Sequence, residues 1–401
     1  MSILSRHMRQ AKTYEEIKPL IDLCKAGRLF DVQAWISEDK PIELPSPEAG
    51  KARKKSPLEV SIELGFHSLV QVLLEGGAAV DEERYSPLRH ALWKRRFDIV
   101  QLLVEHGVDI HSVGMDEVFG TWNNEIVEYF IDRGADLDTD QPLACALCSR
   151  IRTALGIFKK YEKQFPSFRE QVNAALRYHC KEGNLKWVSL MLWAGGDPYA
   201  VGPDAPWGIP DPEENWTALE LAAFYGHFDI FKLKAIQLDP NKPRSYELLR
   251  SACWKGNSDL LKMLLDKGYD PKDLEDKGSS LIRSLISSMT WYFDAYLFRK
   301  WDKDLDTSES REKIKMIHML VRRGARWEPN DRSDISGLRR SFLKMTPDYI
   351  MEFIWIMSEY KACSLDAIEE LMRTPSMRTF ITKNLDRYYQ LKETMYLSLP
   401  R

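Results

Sequence analysis

Apolar and polar positions alternate in a repeating plan that is clearest between Ser56 and Ala78. Leu58, Val60, Ile62 and Leu64 form one short apolar run, and Val70, Val72, Leu73 and Leu74 form a second, with Gly65 between them. Runs of this length, closed by glycine, predict two short helices joined as a hairpin. Ser56 suits a helix N-cap, and Pro57 at the first helical position loses nothing by lacking an N–H. Gly65 and Gly77 suit the left-handed residues that end the two helices.

The plan recurs along the chain. Ser86-Pro87-Leu88-Arg89-His90-Ala91 through Gln101-Leu102-Leu103 to Gly107 is a near copy, its capping serine 30 residues after the first, close to the ~33 of known two-helix repeats. Opening and close together resemble the ankyrin repeat, with its T-P-L-H-x-A start and L-L-x-x-G-A end. The resemblance implies an all-α, ankyrin-repeat solenoid of about ten helical hairpins. A capping-box spacing at Thr13–Glu16 predicts the first helix, and Pro19 through Gly27 to Ile36 completes a hairpin. Ile126–Ile131 before Gly134 keeps the second helix of a worn unit. Gln141-Pro142-Leu143 opens another, with a second helix over Ala154–Tyr161. Ala175–Gly195, Thr217–His227 and Leu248–Gly268 follow, and a ninth unit starts near Ser279 and ends at Gly324. The expected division is an array over 1–330, with insertions at 198–215 and 290–311, and a helical, non-ankyrin C-terminal cap over 331–401, including helices at Tyr349–Met357 and Leu365–Met372.

Composition narrows the functional classes. The net charge of −3 supplies no global field for nucleic acid or an anionic membrane. No run reaches the length of a membrane-spanning helix, and Met1–Gln10 has no signal-peptide core, so a cytoplasmic protein is expected. Six cysteines in 401 residues form no disulfide framework. Cys24, Cys180 and Cys253 fall where the repeat has a small buried residue, a slot that a reduced thiol fills well. Cys145-x-x-Cys148 near His179-Cys180 has the look of a zinc site, but the register turns His179 and Cys180 inward as core. Asp302–Asp306 imitates the start of a calcium loop without its glycine or its closing glutamate. Phosphate-cradling, dinucleotide and metalloprotease motifs are absent, so no catalytic residue, metal or cofactor is implied.

The register also marks candidate binding residues. In ankyrin-like arrays the seventh and eighth residues after the cap end the first helix and face the concave surface. Here those positions include Trp93-Lys94, Lys181-Glu182, Phe224-Tyr225 and Trp254-Lys255. Large aromatics left in water forfeit ~1.5–3 kcal/mol each, and Trp, Tyr and Arg dominate interface hot spots. The competing reading is that neighbouring helices or the insertions cover them. A second aromatic set, Trp291 to Trp301, either packs internally or docks a partner. The leading expectation is a non-catalytic scaffold holding a protein or peptide partner in its concave groove. Two alternatives stand beside it: a nucleic-acid-binding repeat protein using the Trp-Lys pairs, and an enzyme in the last ~75 residues, a length small for an independent fold.

Overall fold

The computed structural model describes residues 10–46, 54–80, 86–207, 215–272, 281–285, 288, 307–327, 347–364 and 382. Among these the regular structure is helical, with two isolated β-bridges. The chain divides into two compact units, Met1–Ala175 and Leu176–Arg401.

In the first unit, hairpins follow one another: α1 (Tyr14–Lys25) with α2 (Leu29–Ser37), α3 (Pro57–Leu64) with α4 (His67–Glu75), and α5 (Pro87–Trp93) with α6 (Phe97–Glu105). Next come α7 (Met115–Phe119) with α8 (Asn124–Ile131) and α9 (Pro142–Cys148) with α10 (Thr153–Tyr161). The worn unit therefore does have a first helix, the five-residue α7, too short to show a periodicity. First helices pack on first helices and second on second, burying Leu69, Val70 and Leu73 of α4 and Ile99, Val100 and Leu103 of α6. The helix α11 (Ser167–Lys181) carries the boundary between the units.

In the second unit α12 (Leu185–Trp193) follows α11, and α13 (Ala218–Tyr225) is succeeded by a short 3-10 turn at Phe228–Lys232 instead of a second α-helix. Then come α14 (Ser245–Lys255) with α15 (Ser258–Asp266), α16 (Thr307–Arg322) and α17 (Pro347–Glu359). The helix α16 takes in the last residues of the expected 290–311 insertion. Pro347–Glu359 contains the expected Tyr349–Met357 helix, whereas Leu365–Met372, the Asp302–Asp306 loop and Trp291–Trp301 lie outside the described residues.

Local chemistry explains the helix starts. Ser56 accepts from the Glu59 N–H at 3.1 Å and Ser86 from the Arg89 N–H at 3.2 Å, each with proline at the first helical position. Thr217 and Glu220 form the reciprocal capping box at 3.1 and 2.9 Å. Thr13 does not: its side chain caps nothing, because the Glu16 carboxylate reaches one residue further back and accepts from Lys12 N–H at 2.8 Å. The start of α9 is capped from a distance. The Gln171 side-chain oxygen accepts from the Leu143 and Ala144 N–H groups at 2.9 and 3.2 Å.

Where the turn inside a hairpin is a glycine, a side chain from the next hairpin roofs it. Phe66 lies over Gly27, and Arg96 donates to the Gly65 carbonyl at 2.6 Å. In the second unit His227 Nε2 bonds the Lys181 carbonyl at 2.8 Å, and the methylenes of Lys255 and Lys313 lie over Gly226 and Gly256. Gly183 has φ +68°, and a Cβ there would stand 2.3 Å from the His227 ring. No other residue fits that turn without displacing the ring.

Candidate partner-binding surface

The aromatics expected to face a partner in the second unit are brought together. The first helices α13 and α14 pack side by side, which sets Phe224 and Trp254, one helix apart, in a near-parallel stack with centroids 6.5 Å apart and planes 10° off. Tyr225 meets Phe224 edge-on at 5.4 Å and is 41% exposed. Lys181, at the end of α11, holds its ammonium 5.7 Å from the Tyr225 ring centroid. Glu182 and Lys255 are exposed at the same helix ends.

Two residues complete the cluster that the helical register alone did not point to. Trp216 tilts against Phe224 at 5.3 Å, and Asp204 accepts a hydrogen bond from Lys181 Nζ at 2.5 Å. Asp204 belongs to the 198–215 insertion and Trp216 directly follows it, the two limbs being joined by Gly202 N–H to Trp216 O at 3.1 Å and the return bond at 2.8 Å. The buried Arg177 fastens this loop, donating to the Pro203 and Ala200 carbonyls at 2.9 and 3.3 Å. Its adjacent Pro and Gly residues signalled a loop but not its docking, since the bonds that dock it are to backbone carbonyls. The Asp204 hydrogen bond raises the pKa of Lys181, against the opposing cost of burial, and keeps it charged. Lys181 is therefore a paired charge, not a free one.

Trp93 and Lys94 lie in the first unit, at the end of α5. Trp93 is 83% exposed, with only an edge contact to His90 at 6.4 Å among the described ring contacts.

This helical grammar has known counterparts. Residues 20–113 match the family described as ankyrin repeats, in three copies. Ankyrin repeats are thus present over residues 20–113. The chain is 24% identical over 196 residues to the ankyrin repeat and KH domain-containing protein mask-1 of Caenorhabditis elegans, a match covering 45% of this chain and 7% of that protein. The chain thus spans a small part of that relative's length. Among solved structures it is similar to the ankyrin repeat domain of Bcl-3, a member of the IkappaB family, at 19% identity, 54% of this chain and 98% of that one, with a TM-score of 0.39. The human ASB11 ankyrin repeat domain aligns at 16% identity over 71% of this chain and 99% of that one, TM-score 0.23.

The six cysteines are free, and Cys24, Cys148, Cys180, Cys253 and Cys363 are buried. Burial pushes the Cys24 thiol up to about 11 and those of Cys148, Cys180 and Cys253 further upward. Thiols so placed are poor nucleophiles and poor metal ligands. Among the described residues no group of three or more His, Cys, Asp or Glu is arranged to hold a metal. Cys24, Cys180 and Cys253 should react with a thiol reagent only after denaturation. Rapid labelling of the folded protein at any of them, read by peptide mass spectrometry, would show the core register to be wrong.

Proposed function

We propose that this ankyrin-repeat protein is a non-catalytic cytoplasmic scaffold that binds a partner protein or peptide on the concave face of its array. In this proposal the array reaches about residue 330, and 331–401 forms its helical cap. The observation that carries the reading is the Phe224–Trp254 stack with half-exposed Tyr225 beside it. Aromatic rings that are mutually braced yet still open to solvent lose little side-chain entropy on docking, which is what makes such groups hot spots. Lys181, Glu182 and Lys255 supply the polar rim, and Trp93 with Lys94 supplies a separate contact zone in the first unit. A specific partner needs ~800 Å² per side, which a few adjacent repeats can present.

The test uses a partner isolated on the full-length chain and then titrated by calorimetry. Replacing both Tyr225 and Trp254 by alanine should weaken binding by ~2–4 kcal/mol while the helical circular dichroism is retained. Lys255→Glu should mainly slow association and alter its salt dependence. Wild-type affinity in the folded double variant would remove this site.

A further inference from the structure

At the inner turn of each hairpin one residue is left-handed. Five of these turns use glycine: Gly27, Gly65, Gly183, Gly226 and Gly256. Three consecutive hairpins of the first unit do not. They place Arg95 (φ +56°), Trp122 (φ +60°) and Arg150 (φ +63°) there instead. A bulky side chain in this region is strained, and such strain persists where the fold imposes the conformation. Here it does so through the turn's own bonds. Arg95 and Arg150 donate their N–H groups to the Leu92 and Leu147 carbonyls at 2.9 Å, and Trp122 donates to Phe119 at 3.0 Å.

Nothing in the packing requires these side chains. Arg95 and Arg150 are exposed and Trp122 is 48% exposed. Among the described residues neither arginine has an ion pair or a side-chain hydrogen bond. The surrounding segments 93–96, 120–124 and 148–153 carry Lys94, Arg95, Arg96, Arg150 and Arg152 and no carboxylate, in a chain whose net charge is −3. Of these cations Arg96 is spent on Asp98 and the Gly65 carbonyl. Lys94, Arg95, Arg150 and Arg152 remain on one edge, because α5, α7 and α9 pack in succession and Arg89 of α5 bonds Glu117 of α7 at 2.7 Å. Trp93, at the first of these turns, adds a second open indole.

We propose that this edge, which takes in the Trp93–Lys94 contact zone of the proposed function and rests on that reading, is a docking surface distinct from the Phe224–Trp254 stack, and that it takes an extended, carboxylate-rich protein segment. Charge complementarity names the occupant. Guanidinium groups two repeats apart, ~16–20 Å, suit carboxylates about five to six residues apart on an extended chain. Trp93 and Trp122 take the apolar side chains between them.

The strain makes the test selective. Glycine at any of the three turns relieves the left-handed cost, so Arg95→Gly, Trp122→Gly and Arg150→Gly should each fold with a melting temperature unchanged or raised. The probe is a fluorescein-labelled twelve-residue peptide with glutamate at every second position and alternating serine and leucine between. Fluorescence anisotropy should show the full-length wild type binding it, with affinity lowered at least tenfold in Arg95→Gly/Arg150→Gly and in Trp122→Gly. Trp254→Ala should bind it as wild type does, which separates this edge from the aromatic stack of the second unit. Four results would overturn the proposal: no binding by the wild type, unchanged affinity in the glycine variants, affinity lost only together with a lowered melting temperature, or tighter binding of a labelled single-stranded oligonucleotide than of the peptide.

Discussion

Arg244→Ala is expected to destabilise the second unit by ~3–5 kcal/mol at neutral pH, because it strands a buried carboxylate. Glu220 sits inside α13 with its side chain fully buried, and Arg244 reaches it through Nε at 2.8 Å and Nη2 at 3.0 Å. The remaining support is the Thr217 N–H at 2.9 Å. Burial already holds the Glu220 carboxyl above its ordinary value of 4.5, with Arg244 and Thr217 pulling it back. Removing Arg244 raises it further. A carboxyl whose folded pKa exceeds its unfolded one contributes stability that is complete below 4.5 and lost as pH rises through the raised value. The deficit of Arg244→Ala should therefore shrink on acidification, and adding Glu220→Gln should remove most of it at neutral pH. Urea midpoints followed by circular dichroism at about pH 4.5 and about pH 7 decide the matter. A pH-independent loss, or none, would mean that Glu220 is solvated.

The second large effect lies in the apolar face of α15. Leu260, Leu261, Leu264 and Leu265 are buried together, with Leu264 wholly enclosed. Leu264→Ala should cost ~2–5 kcal/mol, since helices held by neighbours on several sides collapse only partly into the space left behind. Leu73→Ala in α4 should behave alike in the first unit. Because repeat units are stabilised chiefly by their immediate neighbours, each loss should appear as early unfolding of its own unit. Hydrogen exchange can localise this. Protection spread evenly over the chain in both variants would argue against it.

The reasons some of this was legible in the sequence are local. Ser56, Ser86 and Thr217 act within three residues of themselves, and Gly65 and Gly226 sit where left-handed turns need them. The register that follows placed Phe224, Tyr225 and Trp254 on adjacent helix ends, and the stack depends on nothing else. What escaped depends on partners far along the chain. Gln171 caps α9 from 28 residues away, freeing Gln141 from that duty. Arg177 docks the insertion through carbonyls that any sequence would offer, and so Asp204 reached Lys181 unannounced. Arg95, Trp122 and Arg150 occupy turns that use glycine elsewhere in the chain, and their φ values are a property of the folded backbone alone. The Trp291–Trp301 set lies outside the described residues.

The roofed turns give the chain a direction. Phe66 over Gly27, Arg96 on Gly65, His227 beside Gly183, Lys255 over Gly226 and Lys313 over Gly256 all reach back from the C-terminal side. A hairpin leaving the ribosome thus has its own helices but an open turn, and it is sealed only when its successor has been translated. At these five turns synthesis and sealing run in the same order, the new hairpin locking the last. Trimming from the two ends should then be unequal. A chain shortened at its C-terminus ends on an unsealed turn, while one shortened at its N-terminus merely leaves a side chain with nothing to cover.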